Sequence, residues 1–195
     1  IDNGKRQGVS RAYLKEMNGY KNLSIEHNTD VSKIIFKEKK AIGVEVKRNN
    51  LSEIYYCNKE VILSSGSINS PKILQLSGIG DEKLLSQNGI DIINHLPGVG
   101  QNLQDHLEIY IQHKSKIKDT LYNLSTNYFT QAVEGAKWFL LKKGMLTYSH
   151  LEAGGFVKTS EEYKHPNIQL HFFPSLVINH GLTNPSFDGF QFHAS

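Results

Sequence analysis

Short apolar runs and strict alternations dominate the chain. Val61-Ile62-Leu63 is a continuous apolar triplet that predicts a strand buried on both faces of a parallel sheet. Ser64, Ser65, Gly66 and Ser67 follow without one bulky side chain. Ile73, Leu74 and Leu76 then give a helix its core-facing side, with Asn69 or Ser70 as cap and Pro71 in the first turn. Ser77-Gly78-Ile79-Gly80 ends it. A small-residue turn at a helix start lets backbone N–H groups approach a ligand and favours negative charge, as on a phosphate. An ordinary strand-turn-helix connection reads the same residues equally well.

Upstream, Ser10 to Met17 has the spacing of a helix and Leu23 to Glu26 alternates like a strand. Asp30–Phe36, Ala41–Val46 and Ser52–Cys57, separated by polar turns, predict a three-stranded meander. Downstream, Asp81–Gln87 predicts a short helix stopped at Gly89, Ile90–Ile93 a brief strand, and Leu96–Asp105 a loop. From His106 the pattern becomes period two. His106, Glu108, Tyr110 and Gln112 form a polar face against Leu107, Ile109 and Ile111. A helix over Gln131–Lys142, closed by Gly144, precedes strands at Glu152–Lys158, Asn167–Phe172 and Gly189–His193. The fold class is therefore α/β (α+β overall), an α/β part with a β-meander followed by an antiparallel sheet with a helix. The boundary is placed near Gln112, giving domains 1–112 and 113–195.

With 195 residues, 38% of them hydrophobic and 21% charged, the chain can bury a core. Its net charge of +3 comes from dispersed lysines, which excludes a nucleic-acid stripe. Cys57 is the only cysteine, so an intrachain disulfide and a multi-cysteine metal site are excluded. The nine histidines lack metal-ligand spacing and no hydrolase elbow occurs, so no metal is expected. No apolar run approaches the ~18 residues of a membrane span. Gly78-Ile79-Gly80 and Gly98-Val99-Gly100 have Lys83 and Leu103 where a dinucleotide fingerprint needs its third glycine. Because the chain opens on Ile1 and stops in a strand-like run, it is expected to be an interior piece of a longer protein, with that fingerprint upstream.

GSINSPKILQLSGIG at Gly66–Gly80 resembles the second signature of the glucose-methanol-choline (GMC) flavin oxidoreductases, and LPGVGQNLQDHLE at Leu96–Glu108 resembles the family's next segment. EAGGFVKTSEEYKHPNIQLHFFP at Glu152–Pro174 is similar to choline-oxidising members, the bacterial choline dehydrogenases in particular. The resemblance implies part of a Rossmann-like FAD-binding domain and part of a substrate domain, with FAD as cofactor. It implies that Val31 faces the adenine through its backbone, that the Ser65-Gly66 turn contacts the cofactor, and that Asn102 and Asp105 tie down a loop near the flavin. Glu108 then lies near a trimethylammonium group, His171 lines the site near the alcohol and assists the alkoxide, and His106 orients or supports. The principal catalytic His, with its partner, falls beyond Ser195, so this piece alone is expected to be inactive.

The implied activity is oxidation of choline to betaine aldehyde, in glycine betaine biosynthesis, with electrons passed to a non-nicotinamide acceptor. Peripheral membrane association stays open, and a cytoplasmic or an inner-membrane-associated location fits equally. Another alcohol dehydrogenase or oxidase of the family, or a binding module that keeps the fold without catalysis, is the alternative. A quaternary ammonium offers no hydrogen to donate, so a carboxylate's field and aromatic faces must recognise it. Tyr110, Tyr128, Phe129, Phe172 and Phe173 are the aromatic candidates beside Glu108. Periodicity alone allows a plainer reading, in which the polar faces carrying His106, Glu108 and His171 simply meet water.

Overall fold

The computed structural model describes residues 1–118, 120–151 and 153–195. Glu152, which opens one predicted strand and the choline-dehydrogenase-like segment, lies outside the described residues. There are two compact units, Lys21–Asp105 and Ile1–Tyr20 together with His106–Ser195. The division falls at Asp105/His106 rather than at Gln112. Gln112 sits inside a strand, Ile109–Lys114, that pairs along its whole length with Gly189–Ala194, so a cut there would split one ladder.

In the unit Lys21–Asp105, the meander forms from β1 (Asp30–Lys37), β2 (Lys40–Arg48) and β3 (Leu51–Tyr56), antiparallel in that order. Leu23–Glu26 joins no sheet, and Leu23 and Ile25 stay exposed. Side chains hold this lead-in instead: the Arg48 guanidinium grips Glu26 and donates to Thr29 Oγ1 at 3.2 Å. Val61-Ile62-Leu63 is not a strand either, and Ile62 is 78% exposed. A buried parallel strand exists only where neighbours accept its ladder, and no described strand lies beside it.

Helix α1 (Gly66–Leu76) begins earlier than expected, so Asn69, Ser70 and Pro71 lie within it. Ser70 Oγ accepts the Ser65 N–H at 3.0 Å instead of capping the helix. At φ +82°, Gly66 makes the turn that lets the helix start there. The helix docks through Ser77, whose buried hydroxyl accepts the Ile34 N–H of β1 at 2.8 Å and donates to the Ile73 carbonyl at 2.5 Å. Beyond it, β4 (Ile79–Gly80) pairs in parallel with β5 (Asn94–His95), so the brief strand falls after Ile90–Ile93 rather than on it. Between them, the Asp81 carboxylate caps α2 (Glu82–Gln87) by accepting the N–H groups of Lys83 and Leu84.

The other unit contains β6 (Ile109–Lys114), α3 (Leu121–Thr126), α4 (Tyr128–Ala136), β7 (Ala153–Val157), β8 (Ile168–Phe173) and β9 (Gly189–Ala194). The sheet is antiparallel in the order β6-β9-β8-β7, so the last strand enters between the two halves of the unit's chain. Helix α4 runs into a π-helical turn, Lys137–Leu141, that stops at Lys142 in the left-handed region. The predicted Ser10–Met17 helix is reduced to a π-helical turn, Ser10–Leu14, and the Trp138 indole donates to the Gly4 carbonyl at 2.8 Å. Among the described residues no helix is long and apolar enough to cross a membrane.

The Ser77 hydroxyl links the Ile34 amide to α1. Ser77→Ala leaves a buried N–H unsatisfied and should destabilise the protein by about 1–3 kcal/mol, read as a lower urea midpoint at unchanged m-value. An unchanged midpoint would remove this contact from the docking of α1.

Candidate functional site

A cleft of about 750 Å³ opens between the first half of β1, the facing edge of β2 and helix α1, lined among others by Thr29, Val31, Ser65, Asn69, Lys72 and Ile73. Val31 is 41% exposed and its pairing with β2 slips at Ser32, which frees backbone at the strand's start. Ser65 enters the same cleft, and its neighbour Gly66 has open space where a Cβ would stand. Gly66 is thus glycine for its backbone conformation, not for want of room. Lys33, Lys47 and Lys72 face Asp30 and Glu45 across the lining, so the cleft is mixed in charge with apolar ground at Val31, Ile73 and Leu76. Asn102, at φ +55°, lines a second cleft with Ser67 and Gln75. Asp105 ends the loop, outside that lining.

In the other unit, the sheet register sets Tyr110 opposite His193, and His193 opposite His171. Directly opposed residues share a face, so the three form a row across β6, β9 and β8. Glu108, two residues before Tyr110, extends it. His193 Nδ1 lies 2.6 Å from Glu108 Oε1, and the Tyr110 hydroxyl bonds to the same carboxylate. Tyr110 and His193 ring centres are 4.6 Å apart, and Phe173 meets His193 edge-on at 6.2 Å. The Glu108 side chain keeps 31% of its exposure, against 13% for His193.

Burial pushes the Glu108 carboxyl up, but the hydrogen bonds from His193 and Tyr110, with the fields of His193 and His171, outweigh it and hold the group below the ordinary glutamate range. The Tyr110 phenol is pushed up, first by donating to that carboxylate, then by desolvation and by its charge. The strand starts at Ile109, so Glu108 and His106 both lie on its approach rather than within the ladder. Phe172 turns to the opposite face and packs on Phe190 and Phe192, while Tyr128 and Phe129 begin α4 at 86% and 79% exposure. Of the aromatic candidates, Tyr110 and Phe173 share the face of Glu108.

His193 and Gln191 were not singled out from sequence. Gln191 is fully buried; its Oε1 accepts from Val177 N–H at 2.7 Å and from Gln112 Nε2 at 2.8 Å, and its Nε2 meets His193 Nε2. The alternation of Gly189–His193 sets both on one face, but only the register joins that face to Glu108.

Residues 1–108 match the family described as GMC oxidoreductase. The chain belongs to the GMC oxidoreductase family. It is 44% identical to a human protein named choline dehydrogenase, mitochondrial, over 193 residues, 99% of this chain and 32% of that protein. It is 41% identical to an oxygen-dependent choline dehydrogenase of Staphylococcus epidermidis, over 99% of this chain and 34% of the relative. The chain thus spans about a third of the length of these curated relatives. An FAD-dependent oxidoreductase from Chaetomium thermophilum matches 74% of this chain and 26% of its own at 38% identity and TM-score 0.69. A formate oxidase shares the fold over all of this chain and 38% of its own, at 22% identity and TM-score 0.85.

GMC oxidoreductases are FAD-dependent. The β1/α1 cleft offers open strand backbone at Val31 to a base edge, apolar ground to a ring face, and a small-residue helix start.

Because folding lowers the Glu108 carboxyl, its contribution to stability is complete above the ordinary value of 4.5 and is lost as pH falls through the folded one. The melting-temperature difference between wild type and Glu108→Gln should therefore be largest near neutrality and shrink below pH 4.5. A difference independent of pH would show that Glu108 is not held ionised.

Proposed function

We propose that this chain is part of an FAD-dependent enzyme that oxidises choline to betaine aldehyde. The observation that carries the reading is an ionised Glu108 carboxylate ending a row of Tyr110, His193 and His171, in a chain 44% identical to a choline dehydrogenase over 99% of its length. Glu108 attracts the trimethylammonium group. At 4 Å such a pair is worth about 1 kcal/mol in water and about 4 kcal/mol at an effective dielectric near 20, enough to prefer a cation to an uncharged isostere. Tyr110 and Phe173 offer ring faces to the same group.

His171 donates a hydrogen bond to the alcohol oxygen as negative charge develops there. The hydroxyl proton passes to a base that the family resemblance places outside these residues. A bound FAD would supply the hydride acceptor, so that the alcohol, losing one proton and one hydride, would become the aldehyde. Val31, Ser65 and Gly66 hold the adenosine half of that cofactor, His106 supports the site from the strand's approach, and the reoxidising acceptor is not a nicotinamide. The unit Lys21–Asp105 serves the cofactor and His106–Ser195, with Glu108, the substrate. Peripheral membrane association is proposed for the whole protein only, through segments other than a spanning helix.

Anaerobic addition of choline to the purified full-length protein should bleach its flavin absorbance. Bleaching by an uncharged alcohol but not by choline would move the protein elsewhere in its family, and a protein without flavin would overturn the enzyme reading. Gly66→Val forces a β-branched residue to a positive φ at a local strain of about 1–2 kcal/mol. Flavin per protein, measured by absorbance after gel filtration, should fall several-fold, and full occupancy would take the Ser65-Gly66 turn out of the cofactor site.

A further inference from the structure

The hydrogen bonds around Gln191 admit one arrangement. The Val177 N–H can only donate, so the end of the Gln191 amide facing it at 2.7 Å is oxygen and the other end is NH2. Gln112 agrees, since its NH2 gives to both the Val177 carbonyl at 2.9 Å and Gln191 Oε1 at 2.8 Å. The Gln191 NH2 faces His193 Nε2 and has only hydrogens to offer, so that ring nitrogen accepts. The ring proton therefore sits on Nδ1, 2.6 Å from the Glu108 carboxylate, and donates to it. Through Gln191, the Val177 main-chain amide thereby determines which group Glu108 meets.

We propose that Gln191 and His193 are positioning residues that set selectivity for a quaternary ammonium: Gln191 fixes the tautomer of His193, and His193 fixes the place of the Glu108 charge. The inference rests on the reading of Glu108 as the ammonium's partner. A glutamate on the approach to a strand has several rotamers, and ordering them on binding would weaken recognition. With His193 and Tyr110 already donating to it, the carboxylate is ordered beforehand, and its side chain still keeps 31% of its exposure. An uncharged ligand of the same shape does not sense where that charge lies, so the pair acts on cations alone.

The test uses full-length flavin-loaded protein and calorimetric affinity for two probes, tetramethylammonium and 3,3-dimethylbutan-1-ol, the uncharged isostere of choline. His193→Leu should weaken tetramethylammonium by about tenfold, the loss of one charge-assisted hydrogen bond, and the neutral alcohol by less than about threefold. His193→Asn, whose amide can still donate to Glu108, should restore most of the cation affinity. In the unmodified protein the 15N resonances of His193 should show a protonated Nδ1 and a bare Nε2, a measurement that does not depend on any variant folding. Equal losses for both probes, no loss for the cation, no cation binding at all, or the reverse tautomer would each overturn the proposal. Selective loss in a protein that choline fails to bleach would sustain it while removing choline oxidation as the activity.

Discussion

The fully buried amide of Gln191 constrains the whole polar face of the four-stranded sheet. An amide at 0% exposure must satisfy its oxygen and its NH2 within the fold, because each group left bare costs about 1–3 kcal/mol. Here the partners come from three places: β6 through Gln112, the chain after β8 through Val177, and β9 itself through His193. The segment supplying Val177 also buries Leu176, which lies so close over the start of β9 that a Cβ at Gly189 would stand 2.7 Å from its side chain. Polar satisfaction and apolar packing therefore fix the same register, which sets Tyr110, His193 and His171 in one row.

The β1/α1 cleft is built on another plan. Ser77 fastens α1 to β1 at Ile34, midway along the strand, while the slip at Ser32 leaves the strand's beginning open to the cleft. Arg48 steadies the lead-in through Glu26 and Thr29, so the opening is bounded rather than frayed. What such a cleft presents is backbone and small side chains, which suits a base edge and sugar better than a site needing a particular titrating group. The histidine row presents side chains whose protonation and orientation matter. The two units thus differ in the kind of group they expose.

Legibility from sequence follows sequence separation. The meander was readable because each strand pairs with its neighbour across a marked turn, Lys37–Lys40 or Arg48–Leu51, and alternation alone decides which residues face inward. Val61-Ile62-Leu63 misled because an apolar triplet says only that a strand would be buried if partners were present. The early start of α1 was hidden by Ser70, which looks like a cap but bonds backward to Ser65. Glu108 and His171 could be proposed from alternation and resemblance. His193 could not be joined to Glu108, because the two lie 85 residues apart and meet only through the β6/β9 register.

A carboxyl lowered by its surroundings is not by itself a functional signal, and Glu134 shows why. Its carboxyl is also held below the ordinary range, first by the hydrogen bond from Lys137, then by the Met145 N–H, with burial opposing. Both oxygens are engaged, Oε1 by Lys137 at 2.5 Å and Oε2 by Met145 at 2.8 Å, and the side chain keeps only 9% of its exposure. The charge is spent on holding the turn after the π-helical end of α4. Glu108 is also lowered by hydrogen-bond donors, but its side chain keeps 31% of its exposure. A carboxylate ordered by its neighbours and still partly exposed is able to meet a cation from solution, whereas an enclosed one serves the fold.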